Sequence, residues 1–455
     1  MKTRDGSPQP RNQIDTLKNV GYNFNSAVAD ILDNSISAKS RNVRVKFLDK
    51  DIKNVAVEIT DDGFGMTHEE LAENMIIACK DSSFEREKND LGRFGSGMKM
   101  ASFSQCNKLT VVSKKEGHQV AAFSWDLEKI KETNQWLLNE LEEEDIKSLK
   151  HLNEDLLTSS GTQVIWENLD PWKTDYDEEK QKFIQDASNE LKNYLALHFH
   201  KFLEARGKNR LSIKVQGENL KPLNPFFEGW DGHQCDHTED LTVRGGKIEC
   251  TVHTIPHHSR IPTNKFNQEQ IDELYKRSGI YIYRSNRLII ASGWMGIARP
   301  GKLADLGRLE IHIPPTLDAD WKLDVQKSEV QIDPKTKQKL KRIVSLSIKG
   351  SSEEHVYTGK KTSINDYWEI NKNRRKGFVY YEIKASNKEF LKMAKTIKRE
   401  NVPLVKNYLK NLQVNLPIPH IFTQSANKPK SIDQKNSEIL IDAETEKKLD
   451  KIWSN

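Results

Sequence analysis

A chain of 455 residues with 36% hydrophobic and 30% charged residues reads as globular, with room for two to four domains of about 100 to 200 residues each. Its formal net charge of +5 gives no argument for nucleic acid by itself, and four cysteines are too few for a disulfide framework, so they read as free buried thiols. No apolar run approaches the roughly 20 residues of a membrane span, and the N-terminus MKTRDGSPQPRNQ lacks the apolar core of a signal peptide, so a cytoplasmic protein without a membrane partner is expected.

In TLKNVGYNFNSAVADILDNSISAKS, apolar Leu17, Val20, Val28, Ile31 and Leu32 recur at helical spacing, and NVRVKFL then alternates as a strand. A second strand, VAVEITD, runs into the turn-rich DDGFGM, followed by a helix EELAENMIIA and the glycine-rich GRFGSGMKMAS. KLTVVSK and QVAAFSW read as strands, and residues 127–157 as an acidic, solvated helical insertion. SGTQVIWENL returns as a strand, and the amphipathic run 176–206 reads as a helix linking domains. LSIKVQG, GKIECTVHTI, SGIYIYRSNRLII and LGRLEIHIPP then alternate as strands of a second, mixed α+β domain. Beyond it lie a strand-like GFVYYEIKA, a helical KEFLKMAKTIKRENVPLVKNYLKNL and a loop-like LPIPHIFTQSANKPKSIDQKNSE.

A bound nucleotide with magnesium needs an oxygen ligand for a hard cation, a carboxylate that orients water, a polar partner for the base and backbone amides for phosphates. Asp30 and Asn34 lie one helical turn apart and share a face, so Asn34 can ligate the metal while Asp30 faces the attacking water. Asp33 points about 100° away and is the poorer base. Asp61 at a strand end can accept from an adenine amino group, and Gly63 and Gly65 let backbone approach a planar ring. Gly92, Gly95 and Gly97 precede a helix whose amides favour anions, and Lys99 adds a mobile positive charge. Singly, each pattern is also that of a turn, a tight connection or a solvated helix face; their joint order and spacing is what points to a nucleotide.

DILDNS, DDGFGM and GRFGSGMKMAS resemble the three nucleotide motifs of the GHKL ATPases, the superfamily of gyrase, Hsp90, histidine kinases and MutL. The lysine after the glycines most resembles the MORC branch and prokaryotic Hsp90-like relatives. The resemblance implies an α+β chain with a Bergerat-fold ATP-binding domain, an α/β sandwich, over 1–175; the linking helix follows at 176–206. A ribosomal-S5-like transducer would occupy 207–340 and a C-terminal α/β module 341–455. Carried over by position, Asp30 is the catalytic base, Asn34 the Mg2+ ligand and Asp61 the adenine acceptor, with Gly63, Gly65 and Met66 in the base pocket. Gly92, Phe94, Gly95, Ser96, Gly97, Met98 and Lys99 would hold the ATP phosphates, with about 78–99 as lid, and Gly161 and Thr162 would support the adenine site. Members of the superfamily typically carry Glu where this chain has Asp30; the shorter carboxylate predicts slow hydrolysis.

GIYIYRSNRLI followed by IPPTLDADWKLDVQKSEV resembles the transducer of MutL-like members, in which a lysine reaches the γ-phosphate; by motif position this is Lys327. Histidine kinases lack this domain. The transducer implies an ATP-gated homodimeric clamp, in DNA management or defence against foreign nucleic acid. The alternatives are an Hsp90-like switch acting on a protein client or effector, and a regulatory subunit that binds ATP without useful turnover. His233, Cys235 and His237, with Cys250, His253, His257 and His258 nearby, read either as a zinc site or as incidental polar residues. The tail groups GKKTS, KNRRKGF and KTIKREN, interleaved with Trp368, Phe378, Tyr380 and Tyr381, suit double-stranded DNA, a protein effector or plain solvation.

Overall fold

The computed structural model describes residues 9–19, 21–51, 54–77, 97–169, 177–257, 268–299, 301, 304–317, 321, 332–358, 368–373, 378–384 and 387–416. The chain divides into two units, residues 1–350 and 351–455. The first unit opens with helices α1 (Pro10–Lys18) and α2 (Phe24–Ser37), then strands β1 (Asn42–Asp51) and β2 (Asn54–Asp61), and α3 (His68–Met75). Next come α4 (Gly97–Phe103), β3 (Cys106–Lys114), β4 (Ala121–Asp126), α5 (Leu127–Thr133), β5 (Leu138–Leu141), α6 (Glu143–Ser148) and β6 (Gly161–Leu169). Helices α7 (Asp177–His198) and α8 (His200–Glu204) lead to the short strands β7 (Ser212–Val215) and β8 (Glu218–Asn219).

In the described residues these strands form one eight-stranded sheet in the order β5-β4-β3-β6-β2-β1-β7-β8. Alternation of the strands gives it two faces. Val111 and Leu109 point into the main core with Val28, Ile31 and Leu32 of α2, while the next residue, Val112, packs with Ala122, Ile146 and Leu156 on the other side. The acidic segment 127–157 is largely helical with its acidic residues exposed, but it is also built into the domain: it contributes β5 at the sheet edge and lays Ile146 and Leu156 over the second face. A sheet covered on both sides buries consecutive residues, which is why Leu109 to Ser113 are all buried although side chains alternate along β3. LSIKVQG also differs from expectation, because β7 runs parallel to β1 and extends the first sheet rather than starting the second.

The second sheet comprises β9 (Gln234–Val243), β10 (Gly246–Thr254), β11 (Gly279–Arg284), β12 (Arg287–Ala291) and β13 (Gly307–Ile313), with α9 (Gln268–Lys276) before β11. Its order is β12-β11-β13-β10-β9, with β11 and β13 parallel. Ser285 and Asn286 form the β11–β12 turn with φ of 48° and 67°, the paired positive values of a two-residue hairpin whose twist matches its strands. In β11, Ile280 and Ile282 face Leu340, Ile343 and Val344 of α10 (Pro334–Thr358), while Tyr281 and Tyr283 face Leu197, Phe226 and Phe227. Helix α7 contributes to both sheets: Leu191 and Leu195 enter the first core, Ala196 and Leu197 the second. The linking helix is broken at Phe199, before α8.

The second unit contains the hairpin β14 (Trp368–Asn373) and β15 (Phe378–Ile383), then α11 (Lys388–Thr396) and α12 (Val402–Val414). Tyr380 and Tyr381 stand opposite Asn371 and Ile370 in this hairpin, and the helical run is interrupted between α11 and α12. Among the described residues, no helix is long and apolar enough to cross a membrane.

Candidate active site

Helix α2 sets the site. Asn23 has extended backbone and accepts the Ser26 N–H at 2.8 Å, which starts the helix. Asp30 and Asn34, one turn apart, have different surroundings: Asp30 is 7% exposed and accepts the Tyr22 hydroxyl at 2.7 Å, whereas Asn34 is exposed. Gly97, at the start of α4, approaches this carboxylate so closely that a Cβ there would lie 3.6 Å from Asp30 Oδ2. The base candidate is thus held by a phenol, with the one described glycine of the third motif beside it.

Asp61 ends β2 next to α2. Its Oδ2 accepts the Ser35 hydroxyl at 2.8 Å and its Oδ1 the Gly63 N–H at 2.9 Å. Burial pushes its pKa up from 3.8 to about 6, against the opposing effect of these donors. Here a carboxylate is kept from water with no cation among the causes of its shift, and it suits a ligand that brings its own donor. The glycines that follow are dictated by space. A Cβ on Gly63 would sit 2.7 Å from Ala38 Cβ, and one on Gly65, at φ +65°, only 1.9 Å from the Lys114 carbonyl oxygen.

Across the sheet, Thr162 of β6 stands opposite both Asp61 and Ser113. The Ser113 hydroxyl lies 2.8 Å from Thr162 Oγ1, accepts the Met66 N–H at 2.9 Å and reaches the Gly161 carbonyl at 3.1 Å. Ser113 therefore ties the DDGFGM turn to the Gly-Thr pair. Sequence reading missed it; the available signal was a small hydroxyl, after that of Thr110, at a second buried position of the same strand.

Lys99 departs from expectation. It is 2% exposed and its ammonium donates to the Asn74 carbonyl near the end of α3, so it is an anchored cation rather than a mobile one. Met98 is half-buried and packs against the first core. Gly92, Phe94, Gly95 and Ser96, nearly all of the expected lid, and Lys327 lie outside the described residues. Asp33, one residue and about 100° from exposed Asn34 on α2, is 1% exposed and accepts Arg287 Nε at 3.1 Å.

The residues read either as a zinc site or as incidental polar groups are not all brought together. The two-residue period of the strands places Cys250 in the core beneath α10 and leaves His237 with Glu239 at 3.0 Å, while His253 faces the opposite side against Phe226. Cys235 is exposed, burial pushes the Cys250 thiol up to about 12, and His258 lies outside the described residues. Ligand atoms of Glu228, His253 and Glu310 do lie within 4.8 Å of one another. Glu310, however, already accepts from Lys201 at 2.6 Å, His253 at 2.9 Å and His312 at 2.7 Å, and His233 meets the other nitrogen of His253 at 3.1 Å. Glu310, Lys201 and the three histidines thus form one connected hydrogen-bond and ion-pair network.

Residues 22–162 match the family described as histidine kinase-, DNA gyrase B- and HSP90-like ATPases. That match spans the α2 carboxylate, Asp61, the two glycines and Thr162. Residues 22–162 form a GHKL-type ATPase domain. A 92-residue stretch is also 33% identical to the protein named ATPase morc-1 of Caenorhabditis elegans, over 20% of this chain. The chain spans about 10% of the length of that relative. The large mixed sheet with α2, α4 and α7 on one face is the Bergerat-type α+β architecture of this GHKL domain.

Proposed function

We propose that the chain binds ATP with Mg2+ between α2, the end of β2 and α4, and hydrolyses it slowly. The observation that carries this reading is that α2, which bears Asp30 and Asn34, is tied to Asp61 through Ser35 at 2.8 Å, while a Cβ on Gly97 would lie 3.6 Å from the Asp30 carboxylate. Asp61 would accept from the adenine amino group, and the Ser113–Thr162 pair would hold the turn that closes over the base. Exposed Asn34 offers a carboxamide oxygen, a donor that suits a hard cation; bound magnesium would neutralise phosphate charge. Asp30 would take the proton of the attacking water, with Tyr22 fixing the orientation of the carboxylate. Its short side chain, held back by that hydrogen bond, supports slow turnover.

The ATP-bound form is proposed to be a homodimeric clamp on double-stranded DNA, serving DNA management or defence against foreign nucleic acid. This part rests on the family resemblance and on the lysine-rich segment 388–410. Calorimetry with Mg-ATP and a turnover assay with and without long double-stranded DNA test both parts. Heat on mixing and stimulation by DNA are expected; indifference to DNA would favour action on a protein client. Asp30→Asn should lower kcat by about 10²- to 10⁴-fold while leaving ATP affinity nearly unchanged, and unaltered turnover would remove Asp30 as the base.

A further inference from the structure

Among the described residues, one buried side chain links α2 directly to the second sheet. Arg287 begins β12, directly after the tight turn at Ser285 and Asn286. It is 4% exposed, and its guanidinium lies 4.2 Å from the Phe199 ring centre. Nε donates to Asp33 at 3.1 Å, and Nη1 donates to the Leu288 carbonyl at 2.6 Å and to the His198 carbonyl at 3.5 Å. One planar group therefore holds α2, the end of α7 and the edge strand of the second sheet together. Asp33 is next in sequence to Asn34, and the two point to different sides of α2: Asn34 is exposed, Asp33 buried.

We infer that the Asp33–Arg287 pair is the positioning element that makes the second sheet respond to occupation of the Asn34 side of α2. The physical reason is that a charge buried on either side cannot be released into an apolar environment without a partner. A rotation or axial shift of α2 on ligand binding must carry Arg287, and with it the β11–β12 hairpin, or else separate two desolvated charges. Arg287 also caps the carbonyl end of α7, so the linking helix is drawn into the same movement. A guanidinium suits this role better than an ammonium because its fixed fork can serve a carboxylate and carbonyls at once.

This inference rests on the proposal that the site binds ATP, and the test separates the two. Hydrogen exchange of the full chain is followed with and without Mg-ATP, reading peptides that span 279–291, while calorimetry reports ATP affinity on the same samples. In the native chain, ATP should slow exchange of 279–291 by at least about fivefold. In the neutral pair Asp33→Asn with Arg287→Gln, affinity should stay within about threefold and the ATP-dependent slowing should vanish, with kcat falling. Arg287→Lys keeps the charge and loses the fork; it should bind ATP and show reduced slowing, and it carries the test if the neutral pair does not fold. Unchanged slowing in a variant that still binds ATP overturns the inference, as does a native chain that binds ATP with no change at 279–291. A native chain that gives no heat with Mg-ATP overturns the ATP-binding proposal itself and this inference with it.

Discussion

Half-buried Asp61 and buried Glu310 are both carboxylates on strands, yet their proton affinities are shifted in opposite directions. Burial dominates at Asp61, whose neighbours are neutral donors, and its pKa rises to about 6. At Glu310 burial acts in the same sense, but His253, His312 and Lys201 together outweigh it and hold the carboxyl well below the usual range. The difference separates a candidate site from a strut. Glu310 has its cationic partners within the fold, whereas Asp61 has no cation among the causes of its shift, and on the proposed reading a ligand would offset its desolvation.

The sharpest way to break this comparison is Glu310→Gln. Removing the charge leaves Lys201 and two imidazoles without their common acceptor, so stability should fall by about 3 kcal/mol in denaturant unfolding, with ATP affinity unchanged. A large loss of ATP affinity without loss of stability would reverse the roles assigned here. Asp61→Asn should do the opposite. Calorimetry should show ATP binding weakened about 10- to 100-fold, because the acceptor facing the base is replaced, in part, by a donor. At neutral pH its thermal stability should rise rather than fall, because the desolvated charge is removed and the Ser35 hydroxyl can turn to suit a carboxamide.

Titration gives a third contrast. ATP affinity should decline as pH falls through about 6, approaching tenfold per pH unit below it, as Asp61 becomes protonated. In the absence of ATP the sign for stability is reversed. Between about 6 and 3.8 folded Asp61 holds more protons than the unfolded chain, so native stability relative to Asp61→Asn should rise as pH falls, by at most about 3 kcal/mol. Glu310 contributes the other way: its stabilisation is present above its ordinary value of 4.5 and is lost as pH drops further. The smallest effect belongs to Ser113→Ala, which removes the hydroxyl joining Met66, Gly161 and Thr162. A loss of about 1 kcal/mol in stability and about a threefold weaker ATP affinity are expected from unfolding and calorimetry.

Much of the first sheet was legible from sequence. NVRVKFL, VAVEITD and SGTQVIWENL became β1, β2 and β6 because alternating β-branched residues fit a sheet wherever it lies. The placement of Asp30 and Asn34 one turn apart on a helix and of Asp61 at a strand end was legible because a 3.6-residue repeat and a glycine-marked turn are local rules. The partner sheet of LSIKVQG was not legible, since a four-residue strand carries no label for the edge it joins. The acidic segment misled for a related reason: Ile146 and Leu156 look like stray apolar residues until Val112 and Ala122 offer them a face.

By itself the sequence determined local geometry: where helices start, where only glycine fits, and which polar groups share a helix face. Only the tertiary structure decided what surrounds each charge. Lys99 reads as a mobile phosphate ligand until α3 supplies the carbonyl that anchors it, and Asp33 reads as a spare carboxylate until Arg287 meets it across 254 residues of chain. Burial and pairing depend on residues far apart in sequence, and those two quantities set whether a charge serves a ligand or the fold.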